Sequence, residues 1–271
     1  MNRFWRPRLV ALDIDGTLVD HSGYLPESVR AAVRGVVDAG IPVVLSTGRS
    51  WHATRPIFEA LDLPPGPAVS SNGAVIVDYP PMRLRDVVTF DARAVIKQVS
   101  ERYPQALLAV EVIGLGYRVT GHFPEGDLHG DIEVVGVQGL AAQEVTRVIV
   151  RDPNGDSATF GAVAAGLGLH GVSYFVGWSC WLDIAPDGVD KAHGLSKVCS
   201  KLGIRADDVL ALGDGRNDIE MLRWAGRGVA LGDAPDEVRA AADHVTDRFD
   251  DGGTTAELAR WFDPAELRAS A

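Results

Sequence analysis

The stretch that decides the fold is RLVALDIDGTLVD, residues 8–20. Its apolar run, LVALDI, is short and continuous, as in a strand covered on both faces. It ends in Asp13 and Asp15, one residue apart, and Gly16 and Thr17 follow. Two carboxylates at the mouth of a buried strand are an electrostatic liability, because an unpaired buried charge costs several kcal/mol or neutralises itself. Something must compensate for them. Residues i and i+2 of a strand point the same way, so if Asp15 already leaves the strand the two side chains diverge.

Outward from this stretch the chain alternates. PESVRAAVRGVVDAG reads as a helix, with Pro26 at its start, Gly40 at its end and Val29, Ala32, Val33, Val36 and Val37 at helical spacing. IPVVLSTGR reads as a second buried strand ending in Thr47-Gly48-Arg49, and a helix follows through Leu61. PAVSSNGAVIV reads as a third strand, broken at Asn72-Gly73. This rhythm predicts a parallel sheet with right-handed crossovers, a Rossmann-like α/β core. From about Pro80 to Pro186 the pattern loosens into α+β material of antiparallel aspect. AVIKQVSERY reads as a helix, LLAVEVIGLGYRVTG as a hairpin and VTRVIVRD as a strand. TFGAVAAGLGLHG reads as a helix and VSYFVGWSCWLDIAP as strand. The alternation then resumes through KAHGLSKVCSKLGI, DVLALGD, NDIEMLRWAG, RGVALGD, PDEVRAAA and DHVT, and a helix near 253–262 closes the chain. The expected organisation is a core of residues 1–80 and 187–271 interrupted by an inserted α+β domain, 81–186.

Composition bounds the partners. A chain of 271 residues exceeds a typical single domain, which suits a core plus an insertion. A net charge of −11 argues against nucleic acid and against anionic membrane surfaces, both of which call for a basic face. Any anionic substrate needs local cations against this field. Cys180 and Cys199 form no CxxC pair, so two free thiols in a reducing compartment are expected. The basic start MNRFWRPR precedes too short an apolar run for a signal peptide, and nothing nears the roughly 20 apolar residues of a membrane span. The reading is a soluble cytoplasmic protein of open oligomeric state.

Ligands of an open parallel sheet bind beyond the carboxyl ends of its strands. There the sequence gathers Asp13 and Asp15, then Thr47-Gly48-Arg49, then Asn72-Gly73, then Asp214 with Asn217 and Asp218. Lys191 precedes the last group. Carboxylates this close cannot all ionise unless a cation holds them. The seven histidines show no metal spacing, so the site is all oxygen, which suits Mg2+. Magnesium at such a site usually also holds substrate phosphate, and a hydroxyl, glycine-turn amides, a lysine and an amide side chain are what a phosphoryl group needs. One carboxylate could attack phosphorus and the other handle protons.

Together DIDGTL, STGR, SNGA, Lys191 in GVDKAHGL, and GDGRNDIEML resemble the haloacid dehalogenase-type superfamily. Their order and the place of the insertion resemble its Cof-like branch with a C2-type cap. The resemblance implies an aspartyl-phosphate phosphatase of small phosphorylated metabolites, sugar phosphates or phosphorylated cofactors. Asp13 would be the nucleophile and Asp15 the general acid/base. Thr47 would bind the phosphoryl group and Lys191 would steady nucleophile and phosphate. Asp13, Asp214 and the Asp15 carbonyl would hold Mg2+, supported by Asp218, while Asn217 would support the phosphate. Two departures stand in the tail: Leu231 and Asp233 replace the more usual Met and Asn. The gap GTLVDHSGYL is too short for another domain but long enough for a flap beside the site. Arg49 reads as a substrate contact or a structural ion pair, and Arg216 as a substrate contact or a surface residue. Asn72-Gly73 reads as a site element or a plain hairpin turn. Trp178, Trp181, Tyr117, Arg118, Phe123 and the loop DLHGD at 127–131 belong to the cap. Other readings are a phosphotransferase or phosphomutase using the same intermediate and a receiver domain phosphorylated on Asp. A receiver carries that Asp on a later strand and has no cap.

Overall fold

The computed structural model describes residues 5–155, 172–176 and 180–262. Its first sheet has five parallel strands. In spatial order they are β14 (His244–Val245), β13 (Arg227–Ala230), β12 (Val209–Gly213), β1 (Leu9–Leu12) and β2 (Val43–Leu45). β1 shows why the run is continuous: Val10 and Leu12 join one apolar cluster, Leu9 and Ala11 another. Alternate side chains of one strand thus feed two cores. On one face lie α1 (Glu27–Asp38), through Val29, Val33 and Val36, α2 (Trp51–Ala60), through Trp51, Ile57 and Phe58, and α8 (Gly253–Phe262), through Leu258 and Phe262. On the other lie α5 (Lys191–Leu202), α6 (Ile219–Trp224) and α7 (Asp236–Ala241). The strand order reverses between β1 and β12, so their carboxyl ends open the crevice where such sheets bind ligands.

The third strand departs from the sequence reading. β3 (Gly66–Ser70), β4 (Val75–Tyr79) and β5 (Arg83–Val87) form a separate antiparallel sheet. A lone parallel bridge, Ser46 to Val69, joins β3 to the end of β2. The cause is the turn Ser71–Asn72–Gly73, with φ of 51°, 51° and 95°, which reverses the chain.

Six further strands form a second sheet: β10 (Val172–Val176), β11 (Trp181–Pro186), β9 (Val148–Arg151), β6 (Leu107–Val112), β7 (Gly116–Val119) and β8 (Asp131–Val134). Every pairing is antiparallel as read, except that β8 runs parallel to β7. Even-numbered residues of β6, β9 and β11 pack against α3 (Arg93–Arg102) and α4 (Val137–Leu140). Odd-numbered residues fall on the opposite face. The helix read at TFGAVAAGLGLHG, and Trp178, lie outside the described residues.

Candidate active site

Asp13 sits one residue past β1, where its N–H donates to the Leu212 carbonyl at 3.0 Å. It is 5% exposed. Lys191, the first residue of α5, is fully buried, and its Nζ donates to Asp13 Oδ1 and to Asp218 Oδ1, each at 2.6 Å. Asp190 caps this helix by accepting from the His193 N–H at 2.7 Å, which fixes the start of α5 and so the lysine. Burial alone would lower the Lys191 pKa, but Asp13 and Asp218 outweigh it and the ammonium is held charged. Asp218 Oδ2 accepts from the N–H groups of Asp214 and Gly215 at 3.1 and 2.8 Å.

The cluster has a surplus of acid. Ligand oxygens of Asp13, Asp214 and Asp218 all lie within 4.8 Å of one another. Burial pushes the carboxyls of Asp13 and Asp214 upward, and their neighbours' like charges push the same way. Among the described residues, Lys191 is the one cation paired with the cluster, through Asp13 and Asp218. Gly16, at φ +78°, is what lets Asp214 come so close: a Cβ there would stand 2.3 Å from Asp214 Oδ2. Thr17 Oγ1 donates to Asp214 Oδ1 at 3.1 Å. A buried all-oxygen set with excess negative charge fits a divalent cation that prefers oxygen.

Asp15 does turn away from Asp13. Its carboxylate receives Arg49 Nε at 2.9 Å and Nη2 at 2.6 Å, and its side chain is 60% exposed. Arg49 is thus an ion-pair partner that also lines the cavity. Asp13, Asp15, Gly48, Arg49, Asn72, Asp214 and Asn217 share a cavity of about 880 Å³. Thr47, Lys191 and Asp218 are fully buried and support this wall from behind. Thr47 Oγ1 accepts from the Arg49 N–H at 3.1 Å. Asn72 belongs to a hairpin turn and to the site at once, its Oδ1 accepting from Asn217 Nδ2 at 2.9 Å. His21, Ser22 and Gly23 reach the cavity as the short flap does in the sequence reading. Arg216 pairs with Glu237 and also lines the cavity. Asp233 accepts from the Phe249 N–H at 3.4 Å and does not line the cavity.

Known proteins are similar to this chain in sequence and fold. The family model for haloacid dehalogenase-like hydrolases matches residues 10–111 and 140–258. The chain is a haloacid dehalogenase-like hydrolase. It belongs to the Cof-like phosphatase branch that its motifs resemble. It is 32% identical over 260 residues to the pyridoxal phosphate phosphatase YbhA of Escherichia coli, covering 88% of this chain and 92% of that one. It is 26% identical to the 5-amino-6-(5-phospho-D-ribitylamino)uracil phosphatase YcsE of Bacillus subtilis, over 94% and 95% of the two chains. BT1666 of Bacteroides thetaiotaomicron, a solved phosphatase of the superfamily, superposes with a TM-score of 0.78 at 26% identity, over 96% of this chain and 97% of that one.

In this hydrolase the second sheet supplies part of the far wall of the cavity, with Tyr117, Arg147, Trp181 and Asp183, and the loop between β7 and β8 adds Glu125, Asp127 and His129. Arg147, Asp183 and Glu111 were not singled out by the motifs. Glu111 Oε2 accepts from Ser71 Oγ at 2.5 Å and from Thr146 Oγ1 at 3.2 Å. Their signal is charge at odd positions of strands whose even positions are apolar, in LLAVEV, RVIVR and WLDIAP. A lone charge on the inner face of an alternating strand needs a partner across that face. Among the described residues, no helix is long and apolar enough to cross a membrane.

Proposed function

We propose that this hydrolase cleaves phosphate monoesters of small metabolites through a phosphoryl-enzyme formed on Asp13, with Mg2+ as cofactor. The observation that carries the reading is the buried surplus of carboxylate: Asp13, Asp214 and Asp218 within 4.8 Å of one another. Asp13, Asp214 and the Asp15 carbonyl would hold the ion, supported by Asp218; once bound, it offsets the carboxylate charge and draws phosphate oxygens toward Asp13. Asp13 is buried and fixed by Lys191, so its attacking oxygen needs no reorganisation. It forms an O–P bond as the ester O–P bond breaks, and Asp15 gives the leaving oxygen its proton. Asp15 then takes a proton from water, whose oxygen forms the new bond to phosphorus and frees Asp13 and inorganic phosphate. In this reading Arg49 would orient Asp15, Thr47, Gly48 and Asn217 would bind the phosphoryl oxygens, and Lys191 would steady Asp13.

Residues 81–186 act in this reading as a cap over a core of 1–80 and 187–271. A lid of this kind excludes water and reads the rest of the substrate. The cavity offers Tyr117 and Trp181 to that part, which suits a ring, and two relatives act on phosphorylated compounds that contain one. A phosphorylated cofactor or cofactor precursor is therefore the preferred substrate class, with a sugar phosphate next. The free thiols Cys180 and Cys199 fit a reducing cytosol. The test is phosphate release from p-nitrophenyl phosphate and from a panel of phosphorylated metabolites. Chelator should stop turnover and Mg2+ restore it, and Mg2+ at a hundred times its Kd should stabilise the fold by about 2.7 kcal/mol. Turnover indifferent to chelator contradicts the metal site.

A further inference from the structure

The chemistry just described leaves unused a buried ion pair that lines the cavity. Arg147 and Asp183 are 3% and 5% exposed. Arg147 Nε donates to Asp183 Oδ1 at 3.0 Å and Nη2 to Asp183 Oδ2 at 2.6 Å. The third guanidinium nitrogen, Nη1, crosses to the first sheet and donates to the backbone carbonyl of Gly48 at 2.5 Å. Asp183 Oδ2 also accepts from Asn72 Nδ2 at 2.8 Å, and Asn72 Oδ1 accepts from Asn217 Nδ2 at 2.9 Å. One continuous chain of hydrogen bonds therefore runs from the second sheet to both Gly48 and Asn217.

The order of donors along this chain is forced. An ionised carboxylate only accepts, so Asp183 obliges Asn72 to face it with its NH2 group. The Asn72 oxygen must then face Asn217, which answers with one N–H. Asn217 itself lines the cavity. Asn72 can stand in this place because the backbone turns left-handed there, with φ of 51° at both Ser71 and Asn72. Such residues cost about 1 kcal/mol or more each and persist where the surroundings over-determine them. Here the Ser71 N–H donates to the Arg49 carbonyl at 2.8 Å and the Asn72 N–H to the Thr47 carbonyl at 3.0 Å.

We propose that Arg147 and Asp183 are positioning residues, through which the seating of the second sheet sets the Gly48 loop and Asn217 for the phosphoryl group. The inference rests on the phosphatase reading above and deepens it. Seating the cap and assembling the phosphoryl pocket become one event. A plain staple between two sheets would not need this pair, since apolar residues of similar bulk usually stabilise as well as a buried ion pair.

That property supplies the test. Arg147→Met combined with Asp183→Leu removes both charges and keeps apolar bulk. The expected result is a melting temperature near wild type, kcat for p-nitrophenyl phosphate lower by about 10- to 100-fold, and weaker binding of inorganic phosphate by calorimetry. Asn72→Gly keeps the left-handed backbone, leaves the ion pair whole and cuts the chain at its middle. It should lower kcat similarly, and adding it to the double variant should cost little more, because both break one chain. If the double variant fails to fold, Asn72→Gly decides alone. Unchanged kcat and unchanged phosphate binding in the folded variants overturn the proposal and leave a staple. A wild type that binds phosphate but turns over no monoester sinks the phosphatase reading instead, and phosphate binding by the variants still reads the relay.

Discussion

Two buried ion clusters face each other across one cavity, and they balance charge in opposite ways. On the first sheet, three carboxylates, Asp13, Asp214 and Asp218, meet one ammonium, Lys191. On the second, the guanidinium of Arg147 meets the carboxylate of Asp183, and the Asn72 amide and Gly48 carbonyl take the remaining hydrogen bonds. Glu111 stands nearby against the hydroxyls of Ser71 and Thr146, and burial pushes its carboxyl toward the neutral form. The first cluster carries more negative charge than Lys191 offsets, which fits a bound cation. The second pairs one guanidinium with one carboxylate, which suits a role in geometry. Buried charge alone does not mark a catalytic group; the sign of the imbalance does.

The sharpest way to break this contrast is to make the same substitution in both clusters. Asp13→Asn removes one charge from a surplus, so the fold should hold and Lys191 should keep Asp218. Turnover should fall by at least about 10³-fold, because the nucleophile is gone. Asp183→Asn removes one charge from a balance and leaves Arg147 buried without its carboxylate. Its main effect should be on stability, a loss of about 3–5 kcal/mol. Denaturant midpoints and phosphate release measured on both variants settle the matter. If Asp13→Asn turns over near the wild-type rate, or Asp183→Asn melts like wild type, the assignment of roles is wrong.

The two clusters also differ in how legible they are. The first was readable because its members lie in short motifs at strand ends, where Asp-x-Asp, Thr-Gly and Gly-Asp-x-x-Asn-Asp follow apolar runs. Alternation within β1 and the spacing of Val29, Val33 and Val36 likewise gave the layers of the core. The second cluster was hidden because Arg147 and Asp183 are 36 residues apart and meet only through a register of antiparallel strands, Asp183 lying opposite Ile149. Which face of β11 turns inward is set by the helices on its other side, and local sequence does not place those. β3 departs from the sequence reading for a similar reason. Its apolar run suits a parallel strand as well as a hairpin arm, and three successive positive φ values decided for the hairpin.

That turn is the physical link between the clusters, and it gives a second, smaller test. Gly73 has φ +95°, and a Cβ there would stand 1.9 Å from the Asp190 carbonyl oxygen. Asp190 caps the helix that carries Lys191. Gly73→Ala should therefore cost about 2–4 kcal/mol and lower kcat as well, since the lysine shifts with its helix. Gly40 is the control: it has φ +76° at the end of α1, with nothing within 4 Å of its would-be Cβ. Gly40→Ala should cost only about 1–2 kcal/mol and leave kcat alone. Equal effects of the two, read by thermal melting and turnover, would mean that the turn does not couple to the lysine.

The smallest effect tests the balance of the second cluster directly. Tyr117 is 5% exposed, on the face of β7 that looks across the cavity. Burial pushes its phenol up to about 12; Arg147 pulls it down and Glu111 pushes it up. The fold therefore favours the neutral phenol more strongly than the unfolded chain does, where the group ionises near pH 10. Its contribution is whole below pH 10 and drains away as pH rises from about 10 through about 12, amounting to about 2–3 kcal/mol at most. Tyr117→Phe cannot ionise, so the comparison is a difference. The stability of wild type minus that of the variant should be flat up to pH 10 and then fall. An ionised phenol would add negative charge to a cluster already supplied with Asp183 and Glu111, and only Arg147 could answer it. A difference that stays flat to pH 12 would mean that the second cluster absorbs an extra negative charge, and that the proposed contrast between a balanced cluster and one in deficit fails.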